Sequence, residues 1–339
     1  MDQFISFRER FYSLVGDSSH IVITAHFSPD DDSIASVLSV YTILTAKYPD
    51  KDIRIIYTGE RSERHSVFHN FEKIEWVDDV GNHLTGSDLL IVLDVSKISR
   101  ISKTITKAPE GMRAVAIDHH ASTPDEFTLA SINPHYSSNA ENIYHVLDCE
   151  LMINKDLAEL FLLGILGDTN NFAHVQPSQS EVFGIAKKLV EAIGVPIDAF
   201  RARYGGIPRR IIPLLQELVR NTAYASIEGW PDMQYTFIKT SSEYSDEDMS
   251  AASHIYMGQY LTRIQGYGWG LVATPRSDNT SRISGRSLPG AVNVRDLFER
   301  MSIGGGHDRA SGAHMNESDP EVAIQKICDW MKENKPLIG

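Results

Sequence analysis

The chain's 339 residues, 42% hydrophobic and 23% charged, supply enough apolar material for one large globular domain or two ordinary ones and exclude a disordered protein. The net charge of −13 falls wholly in the first part: residues 1–200 carry 16 Lys+Arg against 29 Asp+Glu, residues 201–339 carry 16 against 16, and the basic stripe of a long-duplex binder is missing. Two distant cysteines, Cys149 and Cys328, argue against a disulfide framework and for a reducing, cytoplasmic setting; no apolar run reaches the roughly 18–20 residues of a membrane span, and "MDQFISFRERFY" lacks a signal-peptide layout.

In chain order, short β-branched apolar runs alternate with helical patterns. Strands are expected at 20–26, 52–59, 88–96, 113–120 and 128–134. Helices are expected at 33–48, around 62–71 and around 97–108, and then at 139–150, 156–172 and 178–194. Continuous apolar strands separated by helices predict an α/β domain with a parallel sheet and helices on both faces. Prolines, glycines and arginines gather at 195–212, before a long helix expected at about 208–226. The pattern then changes to strands at 233–240, 268–276 and 281–289 and a last helix at 320–334. The expected layout is an N-terminal domain over 1–194, a linker and connecting helix over 195–226, and a smaller α+β domain with a mixed sheet over 227–339.

Polar residues concentrate where a parallel sheet gathers ligands, beyond the carboxyl ends of its strands. The first strand ends in His26, followed by Asp30, Asp31 and Asp32; the strand at 88–96 ends in Asp94; the strand at 113–120 ends in Asp118, His119 and His120. The apolar helix from 156 runs into Asp168. Each feature alone reads as a turn or a helix cap, and Asp32 alone reads as the N-cap of helix 33–48. Together they read as a carboxylate-rich cation site, suited to a hard or borderline ion such as Mn²⁺. The donor count exceeds the needs of one ion and fits two, about 3.5–4 Å apart, with a water between them as nucleophile. No lysine or arginine stands beside the aspartate triplet in sequence, so its mutual repulsion is expected to be relieved by those cations.

In the C-terminal part, "IGGGHDRASG" places three glycines where backbone N–H groups can approach an anion. Gly304, Gly305, Gly306 and His307, with Arg282 and Arg286 nearby, are the candidate substrate-binding residues, arginine being able to grip phosphate in a bidentate manner.

"HFSPDDDSIAS", "LDVS", "IDHH" and "GDTNNF" resemble, in order, the four motifs of the DHH phosphoesterases. "SGRSLPGAVNVRDLFERMSIGGGHDRASGAH" resembles the DHH-associated domain, so the likeness spans nearly the whole chain. Size and layout look like the nanoRNase and pAp phosphatase branch. The resemblance implies that His26, Asp30 and Asp94 hold one Mn²⁺ and that Asp32, Asp94, His119 and Asp168 hold the other, with Asp94 bridging. Mg²⁺ or another divalent ion could substitute. It also implies that Asp118 orients an imidazole and that His120 faces the scissile phosphate. Asp31, Ala35, Asn170 and Ser311 depart from the family pattern, where small or neutral residues, glycine, glycine and alanine are usual. These departures bear on substrate preference and leave every implied metal ligand in place.

The expected activity is release of 5′-mononucleotides from very short RNA or linear dinucleotides such as pApA, in a cleft between the two domains. The competing readings are a pAp phosphatase, a cyclic di-AMP phosphodiesterase and a non-enzymatic nucleotide-binding regulator. Expected partners are short oligoribonucleotides or small nucleotides, with no long duplex and no membrane; a homodimer is compatible with the sequence.

Overall fold

The computed structural model describes residues 2–27, 29–123, 126–239 and 243–338; Ser28 of the first acidic motif and Thr240 of the strand expected at 233–240 lie outside the described residues. The chain divides into two compact units, Met1–Gly206 and Ile207–Gly339. Phe200 and Tyr204 pack into the core of the first, whereas Ile211, Leu214 and Leu218 pack into that of the second.

The first unit runs α1 (Asp2–Gly16), β1 (His20–Ala25), α2 (Asp31–Lys47), β2 (Asp52–Thr58), β3 (Ile74–Val77), β4 (Leu89–Leu93), β5 (Arg113–Asp118), β6 (Leu129–Ile132), α3 (Asn139–Val146), α4 (Lys155–Asp168), α5 (Val182–Ile193) and α6 (Ile197–Ala202). Its strands form an all-parallel sheet in the order β3-β2-β1-β4-β5-β6. β4, "LLIVL", is buried at every position because both its faces are covered, as a central parallel strand requires. The strand order reverses between β1 and β4, so the crevice beyond their carboxyl ends is the ligand position of this sheet.

The two faces are covered differently. On one, Ile34 and Leu38 of α2 and Phe161 and Leu163 of α4 join the main core. On the other, Val22, Leu90 and Val92 meet Val80, Leu84, Ile98 and Ile101, which lie on short 3₁₀ turns and their flanks. The helices expected near 62–71 and 97–108 are therefore single 3₁₀ turns, Glu63–His65 and Ile98–Arg100. Local polar bonding explains both. The Ser102 and Thr104 hydroxyls and the Lys103 N–H donate to the Asp79 carboxylate, at 2.5, 3.0 and 2.6 Å, drawing that segment out of helical pairing. Asn70, at φ +64, closes the first segment in a left-handed turn.

The second unit runs α7 (Ile212–Arg220), β7 (Ala223–Ala225), β8 (Met233–Phe237), α8 (Asp246–Gln259), β9 (Trp269–Pro275), β10 (Ser281–Ser287), α9 (Val294–Arg300), β11 (Gly304–His307), β12 (Ala310–Met315) and α10 (Pro320–Glu333). Its sheet, ordered β11-β12-β10-β9-β8-β7, is mixed: β8 and β9 pair parallel and the other neighbours antiparallel. Trp269, Phe298 and Ile324 fill one side with α9 and α10, while Tyr256 of α8 and Leu218 of α7 cover Val272 on the other. The helix expected over 208–226 is confined to 212–220, because the chain turns at Asn221, whose amide donates to the Phe237 carbonyl at 3.0 Å, and enters β7.

The glycine stretch 304–306 is an edge strand rather than a loop. Gly304 faces Ala313 and Gly306 faces Ser311 in the ladder. A Cβ on Gly304 would stand 2.1 Å from the Gly312 carbonyl oxygen, and Gly306 sits at φ +144, so both glycines have a backbone reason to be there. Ser311 closes this hairpin through its hydroxyl, which donates to the His307 carbonyl at 2.7 Å.

Gly304→Ala is expected to lower the unfolding free energy by about 1–3 kcal/mol, the usual range for overpacking against backbone. Urea unfolding followed by circular dichroism checks this; an unchanged midpoint would show that β11 and β12 can separate without cost.

Candidate metal centre

The acidic triplet is sorted by local structure. Asp30 is the N-cap of α2: its Oδ1 accepts from the Ser33 N–H at 2.9 Å, while the Ser33 hydroxyl accepts from the Asp30 N–H at 3.0 Å. The buried Tyr57 hydroxyl donates to the same serine at 2.8 Å, which fixes it further. One Asp30 oxygen is thereby used by the helix, leaving Oδ2, which lies 3.6 Å from His26 Nε2.

Asp31 points elsewhere. Its Oδ1 accepts from His65 Nε2 at 2.8 Å and from the Arg64 guanidinium. Both partners, the Arg64 cation and the buried His65 imidazole, are contributed by the segment after β2 and so do not stand beside the triplet in sequence. The repulsion within the triplet is thus partly relieved by protein side chains, correcting the expectation that metal alone would do it. Asp31 also packs on Gly167, where a Cβ would meet its own Cβ at 2.5 Å.

Asp32 is fully buried, and its carboxylate accepts from the Asn139 and Ala140 N–H groups at 2.5 and 2.9 Å. Those are the unsatisfied amides at the start of α3, so Asp32 serves the N-terminus of a helix 107 positions further along. Ser36 accepts from the Asn139 amide at 3.0 Å and steadies that end. Gly164 of α4 is required beside it, since a Cβ there would come within 2.5 Å of Asp32 Oδ1.

The remaining side chains come from strand ends. Asp94 follows β4 in a left-handed conformation, φ +58, which costs strain in a non-glycine residue. Its N–H donates to the Ile117 carbonyl at 3.0 Å and holds it there. Its Oδ2 lies 3.3 Å from His26 Nε2 and its Oδ1 3.5 Å from His119 Nε2. His119 Nε2 is also 2.9 Å from Asp168 Oδ2 and 3.9 Å from Asp32 Oδ2. His26 Nδ1 faces the Phe27 carbonyl at 3.1 Å and His119 Nδ1 faces the Tyr136 carbonyl at 3.4 Å. In each case the backbone oxygen favours a proton on Nδ1 and turns a basic Nε2 toward the carboxylates, the tautomer a metal ligand needs.

Three ligand-like groups emerge among the described residues: His26, Asp30 and Asp94; Asp32, His119 and Asp168; and Asp94, His119 and His120, with donor atoms within 4.8 Å of one another in each. Asp94 belongs to two of them. Asp94 Oδ1 and His119 Nε2 are buried with no hydrogen-bond partner despite their close neighbours. Buried polar atoms rarely stay unpaired, and atoms aimed at a common point fit a cation there. Asp118 stands apart from these groups. Its Oδ1 accepts from the His120 ring Nδ1 at 2.8 Å and from the His120 N–H at 3.0 Å, and so orients that imidazole.

The electrostatics agree with the crowding. Burial, with Asp94 and Asp168 nearby, pushes the Asp32 carboxyl well above its usual range. Burial raises Asp94 as well. Burial works against charging His26 and His119, yet the adjoining aspartates outweigh it and raise both imidazoles well above the usual histidine value. Without cations the site holds protons that binding of a divalent ion would displace.

The other predicted residues lie in the second unit. Arg282 and Arg286 line a pocket of about 190 Å³ under α8. Neither is paired with a carboxylate among the described residues, and Arg286 donates only to the Gly285 carbonyl, at 2.9 Å. Gly304, Gly305, Gly306 and His307 belong to the neighbouring hairpin. The sequence reading missed α8, whose Ser250, Ser253, His254 and Met257 line this pocket at i, i+3, i+4 and i+7 spacing.

Residues 20–165 match the family model described as DHH family, N-terminal domain. The bifunctional oligoribonuclease and PAP phosphatase NrnA of Bacillus subtilis is 30% identical over 91% of this chain and 94% of its own length. The chain belongs to the DHH family. A probable bifunctional oligoribonuclease and PAP phosphatase NrnA of Streptococcus mutans is 24% identical over 92% of this chain and 95% of that protein. The crystal structure of an exopolyphosphatase-related protein from Bacteroides fragilis shares the fold, with a TM-score of 0.80 at 20% identity and 97% of both chains covered. As a DHH protein the chain is a phosphate-ester hydrolase that depends on divalent metal. Among the described residues no helix is long and apolar enough to cross a membrane.

Two substitutions separate ligation from scaffolding. Asp94→Asn removes one of several crowded buried carboxylates, so the metal-free protein should melt higher than wild type while losing most of its stabilisation by Mn²⁺. Thermal melts with and without Mn²⁺ read both effects; an unchanged Mn²⁺ shift would remove Asp94 from the ligand set. Asp31→Ala should instead destabilise by about 1–3 kcal/mol, by stranding the buried His65, and keep the Mn²⁺ shift in the same melts.

Proposed function

We propose that this chain is a Mn²⁺-dependent phosphodiesterase that releases 5′-mononucleotides from very short oligoribonucleotides and linear dinucleotides. The observation that carries the reading is the convergence of three donor groups, two of which share Asp94 and two of which share His119, with the buried Asp94 Oδ1 left without a hydrogen-bond partner. His26, Asp30 and Asp94 would hold one cation, and Asp32, Asp94, His119 and Asp168 a second. Carboxylates with a minority of imidazoles and no thiolate suit Mn²⁺ better than a soft ion. Cations held by these residues would supply a metal-activated water at neutral pH and charge neutralisation for the phosphoryl oxygens.

The chain's own groups then have defined tasks. Asp118 fixes the His120 ring through Nδ1, so its Nε2 is turned away from that carboxylate; the side chain is 35% exposed. His120 hydrogen-bonds the scissile phosphate and passes a proton to the departing ribose oxygen, the part an oriented imidazole plays in general acid catalysis. In the second unit, Arg282 and Arg286 suit a phosphate of a nucleotide, since neither forms an ion pair with a carboxylate among the described residues. Both NrnA relatives carry oligoribonuclease and PAP phosphatase in their names, which supports short RNA as substrate and keeps pAp as a second one for the same donors.

The test supplies purified protein and Mn²⁺ with pApA, a short RNA ladder, pAp, cyclic di-AMP and pyrophosphate, and resolves products over time. Mononucleotide appearing fastest from pApA and the shortest RNA is the expected result. Orthophosphate from pAp with pApA untouched would make the chain a monoesterase. His120→Ala should lower kcat on pApA about 10²–10⁴-fold, the span of one general acid–base group; a kcat within a few-fold of wild type would remove His120 from the chemistry.

A further inference from the structure

The polar pocket of the second unit has a lining that a core would not have. α8 buries Met249, Ala252 and Tyr256 in the apolar cluster over β9. Its adjacent stripe, which carries Ser250, Ser253 and His254, lines the pocket over β10 and β12 instead. The floor alternates as a strand must: Arg282, Ser284 and Arg286 share one face of β10, with Thr274 opposite Arg282 and Gly312 opposite Ser284. A Cβ on Gly312 would meet nothing within 4 Å, so the space above it is open. Ser253, Thr274 and Ser284 are almost buried, yet their hydroxyls make no hydrogen bond among the described residues; Ser250 faces Arg282 Nη1 at 3.4 Å.

This chemistry selects one part of a nucleotide. Two guanidiniums with no carboxylate ion pair among the described residues suit a phosphate. Several small hydroxyls, each both donor and acceptor, suit a sugar bearing a hydroxyl that also donates and accepts. No Phe, Tyr or Trp lines the pocket among the described residues, so the stacking platform by which proteins usually grip a base is missing here. We propose that the α8 stripe with Ser284 is a sugar-reading wall: the pocket takes one ribose phosphate, distinguishes ribose from deoxyribose through the 2′-hydroxyl, and leaves the base unread. The inference rests on the nucleotide reading above and adds to it the sugar class and the residues that select it. Hydrolysis by an external nucleophile does not require the 2′-hydroxyl as a reactant, so a preference set by this wall is one of binding and is read in KM.

The experiment compares kcat/KM for 5′-phosphorylated ribo- and deoxyribodinucleotides of each base, with wild type, Ser250→Ala/Ser253→Ala and Gly312→Leu. The wild type should favour ribose about tenfold or more, the span of one or two hydrogen bonds, and vary less among bases than between sugars. The double serine variant should bring the sugar ratio to within about twofold of one, through a raised KM for the ribose substrates. Gly312→Leu points into open space, can fold, and should raise KM for both sugars. A sugar ratio unchanged in the double variant, or a base preference larger than the sugar preference, would overturn the proposal. A calorimetric titration of the metal-free protein with AMP and with 2′-deoxy-AMP separates the two levels of the argument. If no dinucleotide is hydrolysed, the phosphodiesterase reading fails; equal affinity for the two mononucleotides defeats the sugar-reading wall by itself.

Discussion

The position of Asp94 is the constraint on which the rest of the site depends. It stands just past the central strand β4, at the point where the order of the parallel sheet reverses, and is held left-handed by its N–H bond to the Ile117 carbonyl. That strained backbone turns one carboxylate toward two imidazoles from different strand ends, His26 after β1 and His119 after β5. Strain of this kind persists only where surrounding structure over-determines it. Here β4 is buried on both faces and cannot shift without disturbing its neighbours on either side.

The second feature is the economy with which crowded carboxylates are kept apart. Asp30 spends one oxygen on its own helix, Asp31 turns to Arg64 and His65, and Asp32 binds the amide end of α3. Each is satisfied by a different physical device: a cap, an ion pair and a helix N-terminus. What remains is a small set of oxygens and imidazole nitrogens with few internal partners and raised proton affinity. Apolar packing would not produce that arrangement, and it stabilises the protein poorly unless a cation completes it.

Much of this was legible in the sequence, for identifiable reasons. Strand ends in a parallel sheet converge, so His26, Asp94 and His119 could be placed on one edge from apolar runs alone. The order of four motifs and the glycine–histidine stretch placed the chain in its family. Long-range pairing was not legible. Nothing local links Asp31 to Arg64, or Asp32 to the amides of Asn139 and Ala140, because those bonds arise only when α2, α3 and the segment after β2 meet. The 3₁₀ turn replacing the helix expected at 97–108 depends on Asp79, over 20 residues from the hydroxyls it binds. The glycines of 304–306 suggested an anion loop, whereas close pairing of β11 with β12 already explains two of them. Asn170 in place of a glycine became intelligible only with its φ of +47, a conformation that asparagine tolerates better than most residues.

The central claim is that two divalent cations share Asp94. Crystals soaked in Mn²⁺ and measured at the manganese absorption edge test it most directly. The account predicts two anomalous peaks about 3.5–4 Å apart, one beside His26 and Asp30, the other beside Asp32, His119 and Asp168, with an Asp94 oxygen between them. A single peak, or peaks away from Asp94, would contradict it.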